Sequence, residues 1–231
     1  MSKKVIITQS NYIPWKGYFD SIAAVNSFIV YDEMQYTKRD WRNRNKIKTP
    51  KGLKWLSIPV EVKGKFHQKI NETKVADPNW AVSHWSQLKQ NYKDAPHFKQ
   101  IAEWLEPLYL DCNLKYLSEI NLQFIKAINQ YLGIKTEILF SKDFELAEEK
   151  TEKLVKLCAD VGADSYYSGP AAKEYMDESQ FNQAGISLHY WDYSNYPEYD
   201  QLHGEFEHGV SILDLLFNQG SNAVKYLKYI P

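Results

Sequence analysis

Lys4-Val-Ile-Ile-Thr-Gln-Ser-Asn-Tyr-Ile-Pro-Trp-Lys-Gly-Tyr-Phe-Asp20 decides the fold. Val5 to Ile7 is a short apolar run that stops at polar and turn-forming residues, the pattern of a strand buried on both faces. Gln9 to Gly17 supplies amides, aromatics, a proline and a glycine, and Tyr18 to Val25 then takes up helical spacing. A second apolar run, Phe28 to Tyr31, ends at Asp32. Strand, polar loop, helix, strand is the opening of an α/β sheet, whose ligands sit beyond the carboxyl ends of the strands. Gln9 and Asp32 both fall at such ends.

A second stretch answers the first. Arg39 to Asn45 carries three arginines, interleaved with Trp41, Asn43 and Asn45. Guanidinium forks match phosphate or carboxylate, and amides add a donor and an acceptor, so Arg42, Asn43, Arg44 and Asn45 suit a diphosphate. The rival reading is a solvated charged loop. Any such attraction is local, because 28 basic and 29 acidic residues leave a net charge of -1 and no global field for nucleic acid or an anionic membrane.

The 231 residues suffice for a single α/β domain. The two cysteines lie far apart and lack metal-ligand spacing, so neither a disulfide framework nor a metal site is expected, and a reduced cytoplasm fits. The amino terminus is too short in apolar residues for a signal peptide, and no run reaches membrane-spanning length. Aromatics stand out, at 15% with 17 tyrosines and 7 tryptophans. Tyr12, Trp15 and Tyr18 are candidates to offer faces to a sugar or base; filling an irregular core is the equal alternative.

Further along, Leu53 to Val62 alternates as a strand ended or bulged by Pro59, with Lys69 to Val75 as its expected hairpin partner. Residues 76–133 read as mostly helical, an insertion or covering layer. In its first helix, from Trp80 to Tyr92, His84 is the candidate acid or base, against the commoner role of a packing histidine. Thr136 to Phe140 reads as a strand, Lys150 to Val161 as a helix, and Asp164 to Tyr167 as a strand running into Ser168-Gly169. That junction lets backbone approach a ligand closely. Gly185 to Trp191 is the last strand, followed by an aromatic loop from Asp192 to His203 of the kind that closes over a site. Ser211 is expected to cap the final helix, and Asp214 to serve its first turn.

Six separated motifs carry a resemblance: Gln9-Ser-Asn-Tyr-Ile-Pro-Trp-Lys-Gly-Tyr-Phe, Arg42-Asn-Arg-Asn, Trp55-Leu-Ser-Ile-Pro-Val, Tyr166-Tyr-Ser-Gly, Tyr196-Pro-Glu-Tyr-Asp-Gln and Ser211-Ile-Leu-Asp-Leu-Leu-Phe-Asn-Gln-Gly. In this order, over nearly the whole chain, they resemble the WbqC-like family. That resemblance implies a bacterial protein of O-antigen or related surface-glycan biosynthesis, with glycyl transfer to an amino sugar as an activity of some members. A fainter likeness is to nucleotidylyltransferases, implying a Rossmann-like parallel sheet, to which the segments from Leu53 to Val75 add a small antiparallel excursion. Trp15-Lys-Gly-Tyr18 stands where that group has H-x-G-H; Gly17 is retained and both histidines are absent, which counts against adenylyl transfer.

The expected function is aminoacyl transfer to the amine of a nucleotide-linked amino sugar, with Asp32 or His84 as base and Asn11, Gln35 or the Gly169 amide as donors to the attacked carbonyl. ATP or a charged tRNA is left open as the source of the acyl group, and no stable nucleic-acid partner is expected. The alternative is a binding protein for a nucleotide or nucleotide-sugar, without chemistry. The most informative observation for both is whether Gln9, Asp32, Arg42, Arg44 and Ser168 converge on one cleft.

Overall fold

A computed structural model describes residues 2–230. Five parallel strands, β1 (Lys4–Thr8), β2 (Ser27–Val30), β5 (Glu137–Phe140), β6 (Ser165–Ser168) and β7 (Ser187–Tyr190), lie in the order β5-β2-β1-β6-β7. The order of strands reverses between β1 and β6, the geometry of a Rossmann-like sheet.

Alternating side chains of these strands feed two cores. Ile6, Phe28 and Val30 face a layer built from α1 (Lys16–Ala23), α2 (Trp80–Tyr92), α3 (Phe98–Leu110), α4 (Leu117–Leu132) and α7 (Ile212–Gln219). Val5, Ile7, Ile29 and Tyr31 face α5 (Lys150–Asp160) and α6 (Glu178–Gln183). Helices α2, α3 and α4, from residues 76–133, thus pack on the first of these faces together with α1 and α7. Gly133 closes α4 in the left-handed conformation its position calls for, at φ 72°. No helix among the described residues is long and apolar enough to cross a membrane.

The antiparallel excursion exists, and one of its strands falls within the expected Leu53 to Val62 run, but its partner is not the expected one. β3 (Arg44–Thr49) pairs with β4 (Gly52–Ser57) across a turn at Pro50-Lys51, with Gly52 at φ 101°. Lys69 to Val75 instead contains a 3-10 turn at Ile70–Glu72, with isolated bridges Val60 to Val75 and Gln35 to Lys69. Arg44-Asn-Lys-Ile-Lys-Thr49 hides its strand character behind polar residues, since Ile47 is its one large apolar residue.

The segment from Asp192 to His203 is irregular, as expected, but it is tied down. The Tyr196 hydroxyl donates to Asp20 Oδ2 at 2.7 Å, Tyr199 donates to Asp214 Oδ1 at 2.9 Å, and Lys16 Nζ donates to the Pro197 carbonyl at 2.6 Å. Ser211 caps α7 by accepting from Leu213 N. Asp214 sits in the first turn of α7, as expected, and is in addition a fully buried acceptor for Tyr92 and Tyr199.

Candidate functional site

The crossover between β1 and β6 opens a cavity of 590 Å³ at the carboxyl ends of both strands. Gln9 enters from the end of β1, Ser168 and Gly169 from the end of β6, and Tyr18 from the first turns of α1. Tyr18 donates its hydroxyl to the Gln9 carbonyl at 3.0 Å, which fixes helix to loop. Burial holds its phenol well above the ordinary tyrosine pKa, so it is a neutral donor. Arg42 supplies a guanidinium that Asn11 Oδ1 and, at 3.6 Å, Asp40 orient, while Asn121 of α4 donates to both the Arg42 carbonyl and Ser10 Oγ.

Lys150 and Lys153 reach the same cavity from the first turn of α5, and Tyr175 and Tyr193 complete its aromatic lining. Lys150, Lys153 and Tyr175 were not legible as site residues, whereas Tyr193 belongs to the aromatic loop expected to close over a site. The lysines did leave a trace, because cations in the first turn of a helix oppose its dipole. Among the described residues no carboxylate side chain lines this cavity.

A smaller cavity of 350 Å³ adjoins it, lined by Asn11, Trp15, Trp41, Asn45 and His208 among others. Arg42 of the first cavity is bonded to Asn11 of the second, and Tyr193 of the first packs edge-on against Trp15 of the second, with ring centroids 5.3 Å apart. The intervening loop is under strain: Ile13, a β-branched residue, sits at φ 37°. Asn45 Nδ2 holds it by donating to the Ile13 carbonyl at 2.9 Å. Burial and the nearby Lys16 charge lower the pKa of His208, leaving it a neutral imidazole at pH 7.

The remaining candidates lie elsewhere. Asp32 accepts from Ser10 N at 2.8 Å, Ser10 Oγ at 2.7 Å and Ser118 Oγ, and lines a third cavity of 470 Å³ with Glu33, Lys69 and Lys74 at the end of β2. Tyr12 is fully buried, not a surface face; it bonds Tyr109 Oη at 2.9 Å and donates to His84 Nδ1 at 2.8 Å. His84 is buried too, and its Nε2 meets the Ser57 carbonyl at 3.2 Å. Burial lowers its pKa to about 4, against a small upward pull from that carbonyl, so it is the neutral packing histidine of the core. Gln35 donates to the Phe66 carbonyl, Asn43 to the Ile58 carbonyl, and Arg44 to the Arg39 carbonyl while stacking 4.1 Å over Trp55. Convergence thus holds for Gln9, Tyr18, Arg42, Ser168 and Gly169, with Asn11, Trp15 and Asn45 next door.

The model of the WbqC-like protein family matches residues 9–226. The chain belongs to the WbqC-like family. Its match begins at Gln9, which lines the first cavity, and ends at Tyr226 beyond α7. Uncharacterized protein Rv1507c of Mycobacterium tuberculosis (strain ATCC 25618 / H37Rv) is 55% identical over 227 residues, covering 98% of each chain. No solved structure gives a significant match to this WbqC-like chain.

Proposed function

We propose that this chain binds a nucleotide-linked amino sugar in the crossover cavity, its phosphates drawn by Arg42, Lys150 and Lys153. The observation that carries this reading is the lining itself: three cations and five tyrosines, with no carboxylate side chain among the described residues. An anionic ligand is attracted by such a lining, and phenol rings give a base apolar faces and polar edges. The position at the reversal of strand order is where open α/β sheets hold nucleotides. The proposed setting is the cytoplasm, which suits two free cysteines.

A second reading is transfer of an aminoacyl group, glycyl in particular, to the sugar amine in surface-glycan biosynthesis. His208 favours it, because a neutral imidazole beside the adjoining cavity is the base the amine needs. In that reaction the amine nitrogen forms a bond to the acyl carbon, its proton passes to His208, and the bond from the acyl carbon to its leaving group breaks. The acyl group would come from ATP-activated glycine or glycyl-tRNA.

Calorimetry with UDP-, dTDP- and GDP-linked amino sugars tests the first reading, and saturable binding of at least one is expected. Binding of none overturns it. Adding glycine with ATP, or glycyl-tRNA, and following the sugar by mass spectrometry separates the two readings: an acylated sugar establishes the transferase, and an unchanged bound sugar the binding protein.

A further inference from the structure

The smaller cavity differs in chemistry from its neighbour. Trp15 and Trp41 give it indole faces, Asn11 gives it an amide, Asn45 is bonded to backbone behind it, and His208 is neutral, so no lining group among the described residues carries a charge at pH 7. Aromatic faces beside an amide suit a ring with apolar C-H faces and a rim of hydroxyls; a phosphate would find no cation there. Asn11 gives its carbonyl oxygen to Arg42, which leaves the amide NH2 as its donor to a ligand. Trp41 is 43% exposed, and Trp55 lies against it with ring centroids 5.4 Å apart, so the indole stands at the cavity mouth with a second indole behind it.

We propose that the cavity between Trp15 and Trp41 is a pyranose subsite, and that one ligand spans both cavities. This rests on the reading of the larger cavity as a nucleotide-phosphate site. The join is the Arg42–Asn11 pair: Arg42 belongs to the cationic cavity, Asn11 to the neutral one, and they are hydrogen-bonded to each other. A sugar joined to a nucleotide through phosphate has the same sequence of chemistry, with an aromatic base, an anionic link and a neutral ring. The sugar's amine then falls in the cavity that His208 lines.

Saturation-transfer NMR and calorimetry with UDP-N-acetylglucosamine, dTDP-glucose and GDP-mannose, each beside its nucleoside diphosphate, test the assignment. For at least one pair, both base and sugar-ring protons of the conjugate should be saturated by the wild-type protein. Trp41→Ala should then lose most of the sugar signal and bind the conjugate about tenfold more weakly, equivalent to ~1.4 kcal/mol, while binding the bare diphosphate as before. Retained diphosphate binding doubles as the check that the variant folds, and Trp41→Phe should restore much of the sugar signal. Equal wild-type affinity for conjugate and diphosphate, with silent sugar protons, overturns the subsite and leaves the nucleotide reading intact. Binding of no diphosphate and no conjugate overturns both.

Discussion

Asp32 accepts two hydrogen bonds from Ser10, one from the backbone N at 2.8 Å and one from Oγ at 2.7 Å, and so clamps the chain leaving β1 to the chain leaving β2. Its second oxygen also takes the Ser118 hydroxyl from α4. Asp32→Ala leaves these donors buried and unpaired, at a cost on the order of 3 kcal/mol. Urea unfolding should report it. An unchanged midpoint would contradict the clamp and return Asp32 to the list of catalytic candidates.

Arg42 is held by Asn11 and Asp40, so its fork is aimed before a ligand arrives. Arg42→Ala should weaken nucleotide-sugar binding about 10- to 100-fold, the worth of one or two charge-assisted hydrogen bonds, and Arg42→Lys should recover little of it. Raising salt from 50 to 500 mM should weaken the wild type more than Arg42→Ala. Calorimetry in which Arg42→Lys equals the wild type would show that charge alone matters there.

Gly17 allows Trp15 to fold back over the start of α1. A methyl group at this position would meet the Trp15 indole at 2.2 Å, so Gly17→Ala must push that ring out of place. The expected stability loss is about 1–3 kcal/mol, together with loss of the sugar signal from the cavity that Trp15 lines. Full stability with unaltered ligand spectra would contradict the packing described.

His84 titrates near 4 in the folded chain and near 6.5 when unfolded. The unfolded state therefore binds more protons between those values, and stability falls as pH drops from 6.5 to 4 and is then insensitive to this group. The full difference corresponds to about 3 kcal/mol. Denaturant unfolding at pH 7 and 4.5 should show most of that loss in the wild type and a smaller pH difference in His84→Gln. Equal pH dependence in the two proteins would refute the assignment.

The Lys150 and Lys153 pair illustrates what a linear reading misses. Asparagine-rich Arg42-Asn-Arg-Asn45 drew attention as a unit, yet only Arg42 reaches the cationic cavity. The alternation imposed by β3 turns Arg44 onto Trp55 and directs Asn45 to the loop behind it. The other two cations come from a helix more than 100 residues away. His84 and Tyr12 looked like site residues for their chemistry, but polar aromatic side chains also bond to one another in a core, and only burial distinguishes the two uses.

Taken alone, the sequence determined the parallel strands, their intervening helices and the two junctions at Gln9 and Ser168, because apolar runs, helical periodicity and turn residues are local signals carried by adjacent positions. Tertiary structure decided which cations share a cavity, which aromatics are faces and which are core, and that Asp32 clamps two strand ends. Those outcomes depend on strand order and on the alternation of side chains across the sheet. Both are set by the packing of segments distant in the chain, which no local pattern records.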